Sequence, residues 1–251
     1  MKKKNSLLVL AFIIPFVLTN VRCTETKTKT TETDNVVNTT GVSNVANTTQ
    51  NAANTTVQNV EASISDDGIV TFGAIPCTEK EFDALQAKLG TTPEGCIALQ
   101  LIAMQMFQNN PKVGEACLIK NNTETNMPSL QRRLPEIFRE SDTYYARMHL
   151  VATYFNGATV ENGFNPDFPY AITVRKNASM EDYKSQSLKG YVKYYQVYSE
   201  GYDTHWRGIE VVQQKGDPYY RVSSCSSVYV QCKEVDWEAE DEYHGLKTTC
   251  D

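Results

Sequence analysis

Glu161, Asn162, Asn165 and Asp167 place four oxygen-bearing side chains on one short stretch that also holds Gly157 and Gly163. Carboxylate and amide oxygens are hard ligands, so such a set could coordinate Ca²⁺, although the spacing is not that of an EF-hand loop. A structural reading fits the same residues. Asn162 and Asn165 would satisfy backbone groups of a tight loop while Thr159 and Glu161 fix the turn. A second group, Tyr195 and Trp206 with Tyr191, Tyr194, Tyr198 and Tyr202, could form an aromatic surface for a glycan or peptide, because rings offer contact area at low entropy cost. Cross-strand packing explains the same rings without a ligand.

Other chemistries leave no trace in the 251 residues. The chain has no G-x-S-x-G elbow, no G-x-x-x-x-G-K-[ST] phosphate loop, no G-x-G-x-x-G and no H-E-x-x-H. A cysteine–histidine enzyme needs its nucleophile and base to meet only in space. Nothing singles out one of the seven Cys or one of the three His, so no catalytic residue is assigned. No Cys-x-x-Cys occurs, and His149, His205 and His244 lie far apart, which argues against zinc. No metal or cofactor is expected. With 24 Lys+Arg against 30 Asp+Glu the net charge is −6, and no Lys/Arg-rich run offers the phosphate neutralisation that nucleic acid requires.

The N-terminus speaks to compartment. Lys2, Lys3 and Lys4 precede an uncharged run from Leu7 to Leu18, too short to span ~30 Å of hydrocarbon. Residues 1–23 are therefore expected to be a signal peptide. Two maturations stay open: acylation of Cys23, which would anchor the protein to a membrane by its chains alone, or cleavage after Cys23 to release it. Residues 24–63 are Thr/Asn-rich, lack aromatics and repeat NVVNTT, NVANTT and NAANTT from Asn35, Asn44 and Asn51. So little apolar mass cannot offset backbone ordering of ~1–2 kcal/mol per residue, and a disordered tether is expected.

From Ile64 to Asp251 the reading is a single α+β domain, with N-terminal helices packed on a C-terminal antiparallel meander. Thr78 and Glu81 form a capping-box pattern ahead of a helix that carries Phe82, Leu85 and Leu89 and ends at Gly90. Pro93 opens a second helix to about Gln108. Its interior is apolar almost all round, which marks it as central. A third helix follows from Pro111 to about Ile119, and a fourth, from Ser129 to Phe138, should break at Pro135. All fourteen Tyr lie after residue 143. Stretches 170–175, 190–198, 207–213 and 219–224 are β-branched or aromatic, and Gly216-Asp217-Pro218 joins the last two as a hairpin. Parity is open in 190–198: either Val192, Tyr194 and Tyr198 or Tyr191, Tyr195 and Val197 face the helices.

Six cysteines remain beyond Cys23. An even number in an exported chain favours disulfides, with Cys225–Cys232, Cys96–Cys117 and Cys77–Cys250 as the expected pairs and buried free thiols as the competing reading. The acidic run Glu234, Asp236, Glu238, Glu240, Asp241 and Glu242 is expected to be solvated.

The stretch Phe155-Asn156-Gly157-Ala158-Thr159-Val160-Glu161-Asn162-Gly163-Phe164-Asn165-Pro166, leading into Pro169 to Val174, resembles a bacterial, often exported, domain family of unknown function. In that family a helical segment, here Met104 to Leu134, precedes an aromatic-x-G-A-T-x-E-N-x-x-x-P loop, and a strand and a hairpin like Gly190 to Val222 follow. The similarity covers residues 95 to 232, with the cysteines and the acidic tail as departures. It implies fold and compartment and transfers no catalytic residue. Together these readings give an exported surface or periplasmic binding module for an unidentified envelope or extracellular ligand. The alternative is a hydrolase of an envelope or host polymer working through a carboxylate or a thiol.

Overall fold

The computed structural model describes residues 61–138, 149–235, 246 and 250. The leader with Cys23, the tether up to residue 60 and the acidic side chains from Asp236 to Glu242 lie outside the described residues. Strand β1, Ala62–Ile64, takes residues 62 and 63 from the stretch read as tether, and β2 is Ile69–Phe72. Four helices follow, α1 Glu79–Leu89, α2 Pro93–Asn109, α3 Pro111–Asn121 and α4 Met127–Ile137. The remaining strands are β3 Tyr170–Lys176, β4 Tyr183–Ser185, β5 Gly190–Tyr198, β6 Trp206–Gln214 and β7 Tyr220–Ser224. The arrangement is α+β, with one seven-stranded antiparallel sheet in the order β1-β2-β3-β5-β6-β7. One edge of β5 is shared: β4 pairs with residues 190–192 and β3 with residues 195–197.

Local chemistry sets the helix limits. The Thr78 hydroxyl accepts from the Glu81 N–H at 3.2 Å, and the Glu81 carboxylate accepts from the N–H groups of Thr78 at 3.1 Å and Cys77 at 2.7 Å. Thr92 caps α2 by accepting from the Gly95 N–H at 3.1 Å, with Pro93 at the first position, whose missing N–H would be unpaired there anyway. From Gly95 to Phe107 every residue of α2 is buried, against α1 and α3 on its sides and the sheet beneath. Helix α4 does not break at Pro135. That residue lies in the last turn, where only one carbonyl loses its partner before the helix ends at Ile137. Among the described residues no helix is long and apolar enough to cross a membrane.

Among the described residues one disulfide forms, Cys77–Cys250, with a Cα separation of 5.2 Å. The other two expected bridges do not, and Cys96, Cys117, Cys225 and Cys232 are buried free thiols. Two of them take part in a buried polar network. Gln100 on α2 sits in a buried polar network, its carbonyl accepting from Asn122 at 2.7 Å and Asn121 at 3.3 Å. Cys96 donates to Asn121 at 3.8 Å, and the Cys225 sulfur accepts from Asn126 at 3.5 Å and Gln100 at 3.8 Å. Both thiols thus serve polar groups that would be costly to leave unsatisfied in the core. A 3₁₀ turn, Ser226–Tyr229, separates Cys225 from Cys232.

Strand β5 resolves its parity in an unexpected way. Tyr195 and Val197 enter the main core, with Ile209, Val211 and Val222 from the neighbouring strands. Val192 is also fully buried, on the opposite face, beside its cross-strand partner Val212 and outside that core. The sheet therefore buries apolar groups on both faces near the β4–β5 hairpin. At that end β5 and β6 also carry Tyr191, Lys193 and Gln213 on the helix-facing side, beyond the core residues of the same face.

A candidate ligand pocket at the open end of the sheet

The sequence candidates come to rest in three separate places. In the glycine-hinged loop, Asn162 spends its side chain on the loop itself. Its carbonyl oxygen accepts from the N–H groups of Thr159 at 2.9 Å and Asn165 at 3.1 Å, and its amide donates to the carbonyls of Gly157 at 2.7 Å and Asn165 at 3.0 Å. That leaves it no free oxygen for a cation, and the structural reading is the one the geometry carries. Gly157 has φ +80°, and a Cβ there would collide with the Asp167 carboxylate. Glu161 is exposed, and its own backbone N–H and the Thr159 hydroxyl hold its carboxyl below the usual range. The loop closes onto β3, with the Asn156 N–H donating to Ala171 at 2.8 Å and the Asp167 N–H to Asn156 at 3.0 Å.

Tyr195 and Trp206 lie on opposite faces of the sheet. Tyr195 is in the core, where burial pushes its hydroxyl's pKa up and Glu94 adds to the rise. Trp206 is half-buried on the outer face under the Arg175 guanidinium, 3.7 Å from the ring centroid, with Tyr198 edge-on at 5.3 Å. Tyr198 stacks on His205 and donates to Glu200, which pushes its pKa up to about 12. The rings of this corner are therefore largely engaged with one another and with charged neighbours.

The thiols and His149 are set back from solvent chemistry. Burial raises the pKa of Cys117, Cys225 and Cys232 to about 12 and that of Cys96 further still. A thiolate nucleophile is thereby disfavoured at all four. Burial lowers His149 to about 4, so it is a neutral core residue packed near Phe164 at neutral pH. Among the described residues no group of three His, Cys, Asp or Glu converges as metal ligands would.

What the sequence did not single out is a cavity of about 830 Å³ at the overhanging end of β5 and β6. Its floor is Tyr191, Lys193, Gln213 and Tyr220, and strand alternation and register put these on one face. The β4–β5 hairpin supplies one wall with Lys184, Ser185, Gln186 and Lys189, and Lys215 closes the other side. Tyr191 is 59% exposed, whereas Tyr220 is 8% exposed and accepts from Lys193 at 2.9 Å. The hairpin is tied down, since Gln214 donates to the Leu188 carbonyl at 3.1 Å and the Lys215 N–H to the Lys189 carbonyl at 3.1 Å. These residues are scattered over thirty-odd positions of chain with no motif. Only the pairing of β4, β5, β6 and β7 brings them together.

No curated protein and no solved structure matches the chain. The model of a domain of unknown function, DUF6935, matches residues 74–236. That range takes in all four helices, the glycine-hinged loop and strands β3 to β7, and leaves β1 and β2 outside it. The chain belongs to this family of domains of unknown function.

Proposed function

We propose that the protein is an exported binding module, held at the cell envelope by its N-terminal segment, that takes a small ligand into the pocket at the open end of its sheet. The pocket is the observation that carries this reading. Its volume falls within the ~300–1,000 Å³ typical of small-molecule sites, and it combines tyrosine rings and lysine stems with a few convergent polar heads. Export rests on the basic leader and the short apolar run after it. It agrees with the Cys77–Cys250 bridge, because disulfides persist in oxidising compartments.

The reading is tested with 2-naphthol, a neutral ring small enough for the cavity, by following its fluorescence on titration with the protein. Saturable binding is expected. Tyr191→Ala, at an exposed position, should weaken it about three- to tenfold with the melting temperature unchanged, since stacking on one ring is worth ~0.5–1.5 kcal/mol. Binding that is unaffected by Tyr191→Ala would place the ring elsewhere and remove the pocket from the account.

A further inference from the structure

We infer that the ligand of this pocket is a soluble, phosphate-bearing small molecule with one flat ring. The inference rests on the pocket reading above and deepens it. Lys184, Lys189, Lys193 and Lys215 all line the cavity, and no Asp or Glu does. The chain as a whole carries more acid than base, so a lining of one sign runs against composition. Three lysines elsewhere in the domain are neutralised: Lys120 pairs with Glu79 and Asp83, Lys176 with Asp182, and Lys233 with Asp203. Among the described residues none of the four pocket lysines has a carboxylate partner. Four ammonium groups with no carboxylate among them repel each other around one concavity and concentrate anions there.

Conformation points the same way. Lys189 has φ +53°, and Phe164 is the only other non-glycine described residue with positive φ. Glycine takes that region without strain and lysine does not, so the hairpin holds a lysine at the pocket rim against its backbone preference.

The type of cation narrows the anion. Lysine presents a compact charge with three freely rotating donors and meets a phosphate as a point charge from several sides, whereas bidentate contact with a carboxylate or phosphate calls for the arginine fork. No arginine lines the cavity. Arg175, Arg207 and Arg221 are committed to Trp206, Tyr202 and Asp217 respectively. Tyr191, more than half exposed on the floor, offers the face on which a ring would stack.

The experiment compares 2-naphthyl phosphate with 2-naphthol on the full chain, by calorimetry at low salt. The phosphate should bind at least about tenfold tighter, with the advantage shrinking severalfold at ~0.5 M salt. Lys184→Gln with Lys215→Gln, both exposed, should reduce the advantage, taken against 2-naphthol on the same variant, to about threefold or less with the melting temperature unchanged. Lys193→Gln provides an independent check from the floor. Equal affinity for the two naphthyl compounds, or an advantage that survives the lysine substitutions, overturns the anion inference and leaves the pocket reading standing. If neither compound binds, both fall. Sedimentation with phosphatidylglycerol vesicles and not with phosphatidylcholine vesicles, in a protein that ignores 2-naphthyl phosphate, would overturn the inference in favour of a lipid headgroup.

Discussion

Removing the Cys77–Cys250 bridge is expected to lower the unfolding free energy by about 4 kcal/mol. The bond joins residues 173 apart in sequence, and the chain-entropy relation gives ~5 kcal/mol for a loop of that length, against ~2–4 kcal/mol for typical native disulfides. Cys77 stands immediately before the cap of α1, its N–H held by Glu81, so the bridge fastens the C-terminal residues to the start of the helical layer. Denaturant unfolding of Cys77→Ser with Cys250→Ser, compared with the native chain, measures the effect as a lower midpoint at an unchanged or larger slope. The four buried thiols should play no part. Replacing Cys232 with Ser ought not to change the number of disulfides found by mass, and an identical midpoint with and without Cys77 and Cys250 would contradict the assignment.

Asn162→Ala is expected to cost about 2–3 kcal/mol. Four hydrogen bonds within the loop disappear, each worth ~0.5–1.5 kcal/mol, and exposure lets water recover part of the loss. Asn162→Asp keeps the two accepting contacts and loses the two donated ones, so it should cost less than the alanine. Glu161→Ala, at an exposed neighbour, should stay within ~0.5 kcal/mol. Thermal unfolding of the three variants checks the order. At a temperature where all remain folded, none should alter the affinity for 2-naphthyl phosphate, because the loop closes on β3 and none of its residues lines the pocket.

The contrast between loop and pocket shows what a sequence of this kind discloses. Thr78 and Glu81 announce the start of α1 because capping chemistry is local, and Pro93 does the same for α2. The unbroken apolar interior of α2 identified it as the helix under the sheet, which the burial of every residue from Gly95 to Phe107 bears out. Strands β1, β2 and β4 escaped notice because three or four residues carry too little alternation to register, and β2 joins the sheet only through its distant pairing with β3. The thiol pairs failed for a related reason. Even parity suggests bridges, but whether Cys96 meets Cys117 or Asn121 depends on how α2 and α3 pack.

Site residues divide along the same line. Glu161 and Asn162 are conspicuous because polar residues beside glycines form a compact local pattern, and the local problem they solve is the shape of their own loop. Lys184, Lys193 and Lys215 look like ordinary strand and turn residues one at a time. They become a cluster only after β4, β5 and β6 are aligned in register. Tyr195 and Trp206 illustrate the converse, since proximity in the list of strand aromatics put them together and the pleat sends them to opposite faces.

The most direct measurement is amide shift mapping of the isotopically labelled chain during titration with 2-naphthyl phosphate. The account predicts shifts concentrated on Lys184 to Lys193, on Gln213 to Lys215 and on Tyr220, with residues 156–167 and the Tyr198–Trp206 corner undisturbed. Shifts centred on Asn162 or Trp206, with the lysine-lined pocket silent, would contradict it.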